Sequence, residues 1–213
     1  MKKNLIVSLF IFFAFQNFLK AQDRKVLWGI GIRVGTASLS AKPDATKSLG
    51  NDSIATAYSV GVRAEISFNR FFSIKPELNY SFKGGSYQTG LNGIRTSRIA
   101  DNINVSYIEA PLSLKFKPLN GLFISAGPQI GYLILAQSDG GTNGLDAGYT
   151  DNYKRLDYGF MFGLGFSRKR FGMEGNYYLG LQNIVKNGPS IHGSPSSFKN
   201  QVATIGLFYN FGE

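Results

Sequence analysis

From Ala57 to Lys83 the chain alternates apolar and polar residues, with one interruption around Arg70. Tyr58, Val60, Val62, Ala64, Ile66 and Phe68 share one side of the first half, and Ser59, Gly61, Arg63, Glu65, Ser67 and Asn69 the other. In the second half Phe72, Ile74, Pro76, Leu78, Tyr80 and Phe82 oppose Ser73, Lys75, Glu77, Asn79, Ser81 and Lys83. A period of two marks a strand, because successive Cβ atoms leave opposite faces of the pleat. Each half runs for about a dozen residues, roughly twice a common soluble strand and close to a tilted strand crossing a bilayer.

The same period recurs near Val26–Ala37, Ile103–Lys117, Leu122–Ala136, Leu156–Ser167, Phe171–Asn183 and Gln201–Phe211. Connections between these segments are short around Arg70, Leu119-Asn120-Gly121 and Lys169-Arg170. They are long and rich in Gly, Ser, Asn and Asp at 39–56, 84–102, 137–155 and 184–199. Short and long alternate without exception. An even number of strands joined in this way predicts an all-β fold, an eight-stranded antiparallel up-and-down transmembrane β-barrel. Aromatic residues gather toward the strand ends, among them Trp28, Phe68, Phe72, Phe116, Phe171 and Phe211 at the short connections and Tyr58, Tyr80, Tyr132 and Tyr158 toward the long ones. Two such bands suit the two interfaces of a bilayer. Pro76, Pro111 and Pro128 fall inside predicted strands, where each removes a ladder donor, so gaps or bulges are expected there.

Alternation by itself does not say which face is outside. A soluble lipocalin-like barrel would turn the apolar face inward; the strand lengths, the aromatic bands and the glycines on the polar face favour the membrane form. The lumen then receives Arg33, Arg63, Glu65, Lys75, Glu77, Glu109, Lys115, Asp157 and Glu174. Eight strands leave an interior just wide enough for side chains, and buried charges must be paired. A plug of ion pairs is therefore expected, with a small pore or transporter as the alternative. Centring the hairpin on Arg70 places Arg63 opposite Glu77 and Glu65 opposite Lys75, two pairs of opposite charge, with Phe68 and Phe72 closing the turn.

Composition agrees with this reading. Charged residues make up 17%, aromatics 14%, and there are 26 glycines. A mean hydropathy of -0.07 is too polar for a helical membrane protein. Residues 1–21 read as a secretory signal peptide, with Lys2 and Lys3 before an apolar run from Leu5 to Phe15 and cleavage before Gln22. The β-barrel domain then spans 22–213. The net charge of +10 falls to +7 without Lys2, Lys3 and Lys20, and the remaining basic residues are scattered rather than striped, which argues against nucleic acid. Cysteine is absent, so disulfides, thiol chemistry and a lipoprotein anchor are excluded.

No catalytic, cofactor-binding or metal-ligating residue is assigned. The only histidine of the sequence, His192, lies in the last long connection with Ser190 and Ser194 nearby and Asp139 in another, an unordered set that leaves a rim-located hydrolase a remote reading. Gly163–Ser167 (GLGFS) lies mid-strand with no helix after it, so it is neither a dinucleotide fingerprint nor a nucleophile elbow.

The segments IKPELNYSFKGG (74–85), YIEAPLSLKFKP (107–118), AGPQIGYLILA (126–136), YYLGLQNI (177–184) and IGLFYNF (205–211) resemble the PorT-like family of outer-membrane β-barrel proteins, in the same order and over nearly the whole mature chain. The resemblance implies an eight-stranded barrel, places the three prolines within family motifs and brings no catalytic motif. It also implies an association with the secretion of exported proteins. The expectations are then a non-enzymatic structural, surface-interaction or secretion-accessory protein of the Gram-negative envelope. It would be a monomer in the bacterial outer membrane with both termini periplasmic. Its partners would be outer-membrane lipid, lipopolysaccharide and proteins of the envelope or secretion machinery.

Overall fold

A computed structural model describes residues 26–41, 55–88, 100–138, 153–184 and 198–211. Residues 1–21, the expected signal peptide, and His192, Ser190, Ser194 and Asp139 lie outside the described residues.

The strands are β1 Val26–Ala41, β2 Ala55–Ser67, β3 Phe72–Gln88, β4 Ala100–Phe116, β5 Leu122–Ser138, β6 Leu156–Arg168, β7 Phe171–Gly180 and β8 Phe198–Phe211. Each pairs antiparallel with the next, and β1 closes on β8 from Trp28 opposite Phe211 to Ala41 opposite Phe198. The barrel therefore has no free edge, which is the condition for a sheet to live in hydrocarbon. The three short connections stand at the same end as Val26 and Phe211, because Val26 faces Ile66 and Trp28 faces Phe211.

Alternation decides the two faces. Ile32 and Leu207, side by side on β1 and β8, are 60% and 61% exposed, whereas Lys75 and Lys115 on the opposite face are 0% and 1% exposed. This inversion of the usual burial order is what a lipid-facing wall and a packed lumen produce. At the short-turn end, rings line the outer wall: Phe72 lies 5.0 Å from Phe116, and Tyr209 lies 4.9 Å from Phe171 and 5.5 Å from Phe211.

The prolines interrupt pairing where expected. In β2–β3 the ladder stops at Arg63–Glu77 and resumes at Ile66–Ile74, skipping the level of Pro76. In β3–β4 it skips from Pro76–Leu112 to Asn79–Glu109 past Pro111, and in β4–β5 from Pro111–Gln129 to Leu114–Ala126 past Pro128. The gaps thus step diagonally across three neighbouring ladders. Gly127 sits at the last of them, where a Cβ would come 2.0 Å from the Leu112 carbonyl oxygen, so the two backbones can approach only because no side chain intervenes.

Two details differ from expectation. A β-bulge lies between Ser106 and Tyr107, with Tyr107 opposite Leu133 and Ser106 opposite Leu135. The extra residue reverses the parity of β5, so Leu133 and Ala136 are both buried while Ile134 and Leu135 between them are exposed. β7 ends at Gly180 rather than continuing to Asn183. There the Leu181 amide still donates to the Tyr158 carbonyl at 2.9 Å, and the Lys154 amide donates to the Ile184 carbonyl at 2.7 Å. The wall goes on as irregular backbone.

Candidate functional site

The lumen is filled in three levels. In the middle, Arg33 of β1, Lys75 and Glu77 of β3 and Glu174 of β7 converge on the axis. Arg33 donates to Glu174 from Nε at 3.0 Å and from Nη2 at 2.6 Å, and its Nη2 also bridges to Glu77. Lys75 Nζ stands 2.9 Å from both Glu77 Oε1 and Glu174 Oε2. Arg63 of β2 reaches Glu174 Oε2 at 3.5 Å. Asn79 and Asn176 complete the set, donating to Glu77 at 3.3 Å and to Glu174 at 3.2 Å.

Toward the short turns, Glu65 accepts from Ser73 Oγ at 2.9 Å, Lys115 Nζ at 2.8 Å and Lys117 Nζ at 2.9 Å. Against this group lie Phe123 and Phe208, both buried, with ring centroids 6.2 Å apart. The Arg63 guanidinium stacks 3.7 Å from the Phe208 centroid, and Lys115 Nζ stands 3.9 Å from that of Phe123. A cation against a ring face is an attraction that strengthens away from water. Glycines of the next strand make room for the rings: a Cβ on Gly172 would meet Phe208 at 2.1 Å, and one on Gly165 would meet Phe123 at 2.4 Å.

Toward the long connections, Lys83 donates to Glu109 at 2.6 Å and lies 4.7 Å from the Tyr107 ring. Asp157 accepts from Asn200 at 2.8 Å. Above them Val105, Tyr107, Leu133, Ala136, Tyr153 and Ile184 form an apolar cluster. Between this level and the middle one is a cavity of about 40 Å³, lined by Arg33, Lys83, Asn79, Glu109, Gln129 and Asn176 among others, room for a few waters.

The structure thus brings Arg33, Arg63, Lys75, Glu77 and Glu174 into one network. It puts Glu65 with Lys115 below them, and Glu109 and Asp157 above. Two ion pairs expected from the hairpin register do not form. Arg63 stands opposite Glu77 in the ladder, but its side chain pairs with Glu174, and Glu65 pairs with Lys115 and Lys117 instead of Lys75. In so narrow a barrel the inward side chains reach the axis, where a partner from another strand is as near as the ladder neighbour.

Sequence reasoning left Lys83 and Lys117 out of the ion-pair set and passed over the inward apolar residues. The signal for the latter was present: Phe123 and Leu133 on β5, and Phe208 on β8, interrupt the polar face of their strands with large apolar side chains. Among the described residues, no cluster of His, Cys, Asp and Glu suited to a metal occurs.

The family of outer membrane protein β-barrel domains matches residues 20–186. The chain belongs to that family. Its location is the bacterial outer membrane. Among solved structures it is similar to Neisserial surface protein A, at 12% identity and a TM-score of 0.55, covering 86% of this chain and 97% of that one. It is also similar to Ail, the attachment invasion locus protein of Yersinia pestis, at 14% identity and a TM-score of 0.42, covering 86% and 98%. A third is the outer membrane protein OprG from Pseudomonas aeruginosa, at 14% identity and a TM-score of 0.42, covering 87% and 96%. At 12% identity the likeness to Neisserial surface protein A is one of fold. Among curated proteins none matches the sequence significantly.

Proposed function

We propose that the protein is a closed, non-enzymatic barrel whose lumen serves stability and whose four long connections carry the interactions with partners. The observation that carries this reading is the filling of the lumen, by the Glu65 group and the Phe123–Phe208 pair, the Arg33–Glu77–Glu174 network and the Tyr107–Leu133–Ile184 cluster. Opening a continuous path would mean separating buried charges, which costs several kcal/mol per stranded ion. In this reading the short turns and both termini face the periplasm and the long connections face outward. The narrower form, a PorT-like accessory to protein secretion working as a monomer amid lipid and lipopolysaccharide, is supported by the five segments quoted above.

Two measurements test it. Protein reconstituted in planar bilayers should give no unitary current; reproducible salt-dependent steps would overturn the closed lumen. An epitope inserted after Gly140 should be labelled on intact cells, and one inserted between Lys169 and Arg170 should not; the reverse would overturn the orientation.

A further inference from the structure

The connections at the short-turn end, 68–71, 117–121 and 169–170, together with Arg168 at the end of β6, carry five basic residues, Arg70, Lys117, Arg168, Lys169 and Arg170, and no acidic one. Lys117 turns inward to Glu65 at 2.9 Å, but the other four are exposed. Three of these four are consecutive: Arg168 ends β6, and Lys169 and Arg170 form the two-residue turn that joins it to β7. Arg168 continues the lipid-facing stripe of Phe162, Leu164 and Phe166 and pairs in the ladder with Phe171, which is 69% exposed. Arg170 Nη1 lies 3.5 Å from the Tyr209 hydroxyl, and Arg70 stacks 4.4 Å from the Phe71 centroid. These cations therefore sit at the edge of the apolar wall, beside aromatic rings, at headgroup height.

The turn itself is chemically expensive. Lys169 has φ 54°, a left-handed conformation that Gly or Asn takes far more readily. Three adjacent like charges also repel one another. A tight turn made for stability alone would carry Asn-Gly or a similar pair. What this one holds instead is a dense positive charge beside membrane-facing rings, a combination suited to phosphate headgroups.

We propose that the Arg168-Lys169-Arg170 turn, with Arg70 in support, binds the headgroups of anionic glycerophospholipids in the leaflet at the short-turn end. The proposal rests on the membrane-spanning reading and is independent of which envelope role the long connections serve.

The test uses the full chain in phosphatidylcholine bilayers with a trace of spin-labelled phosphatidylglycerol or spin-labelled phosphatidylcholine, reading the motionally restricted fraction by electron paramagnetic resonance. The wild-type protein should prefer the anionic probe by on the order of threefold or more, and the preference should shrink at about 0.5 M salt. R168Q/K169N/R170Q should bring it close to parity, while K154Q/R155Q/K199Q, at the far end, should leave it unchanged. K169N alone should lower the preference yet resist unfolding as well as the wild type or better, because Asn suits the left-handed position; this variant keeps the test decisive should the triple variant fail to fold. Absence of a wild-type preference, its survival in the folded triple variant or in K169N, or its loss in the far-end variant would overturn the proposal. A gel shift on boiling, measured on every sample, separates these outcomes from failure of the barrel itself.

Discussion

Arg63 faces Glu77 across the β2–β3 ladder, yet Glu77 is bridged by Arg33 from β1 and Arg63 is left with Glu174, 3.5 Å away on β7. Backbone register and side-chain pairing are thus separate properties of this lumen. The expected consequence is measurable by double-mutant cycles on the refolded barrel. Arg33→Met and Glu77→Leu should couple by about 1–3 kcal/mol, and Arg63→Met and Glu77→Leu by clearly less. Coupling of the second pair as large as that of the first would mean that pairing follows the ladder after all.

That separation also marks how far the sequence could be read. Strand alternation separated the two faces, strand length and the aromatic bands picked out the inward one, and the turn centred on Arg70 set the β2–β3 register that places Arg63 opposite Glu77. Alternation and register are both local, period-two properties of the backbone. The ion pairs are not local, since Arg33 meets Glu174 from a strand 141 residues away, and alternation says nothing of where long side chains meet on the axis. The bulge at Ser106–Tyr107 was equally hidden. It shows in the sequence only as the apolar run Tyr132–Ala136, in which both parities are apolar and alternation gives no direction.

Glu174 is the hub of the network, serving Arg33, Lys75 and Arg63 together. Arg33 and Lys75 keep Glu77 if it is neutralised, whereas Arg63 loses its carboxylate. Glu174→Gln should therefore cost about 3–5 kcal/mol, the toll of stranding a buried charge. Adding Arg63→Met should recover part of that loss, since it removes the stranded cation. Urea midpoints of the refolded variants decide the matter, and a double variant no more stable than Glu174→Gln alone would show that Arg63 is not the group left unpaired.

The Phe123–Phe208 pair predicts a size dependence. The Phe208 ring occupies the space a Cβ on Gly172 would need, so Gly172→Ala should cost about 1–3 kcal/mol through overpacking. Pairing it with Phe208→Leu should relieve part of the strain, although the cation–π contact with Arg63 is then lost. Additive losses in the two single variants would mean that the ring can move aside freely.

The direction of the apolar face gives the sharpest test of the barrel as a membrane protein. Ile32 lies midway along the outward stripe of β1, between Ile30 and Val34, with Val60 and Leu207 opposite it on either side. Leu122 also points outward but is the first residue of β5, beside the short turn. In hydrocarbon a lysine costs about 2–4 kcal/mol at the midplane and about 0–1 kcal/mol near the interface, where its ammonium can reach water. Ile32→Lys should therefore be much the more damaging of the two in a lipid bilayer. In a water-soluble barrel both lysines would be surface substitutions within about 0.5 kcal/mol of neutral. Refolding into vesicles, followed by denaturant titration, reads the difference directly. Equal and small costs at the two positions would mean that this wall does not face lipid.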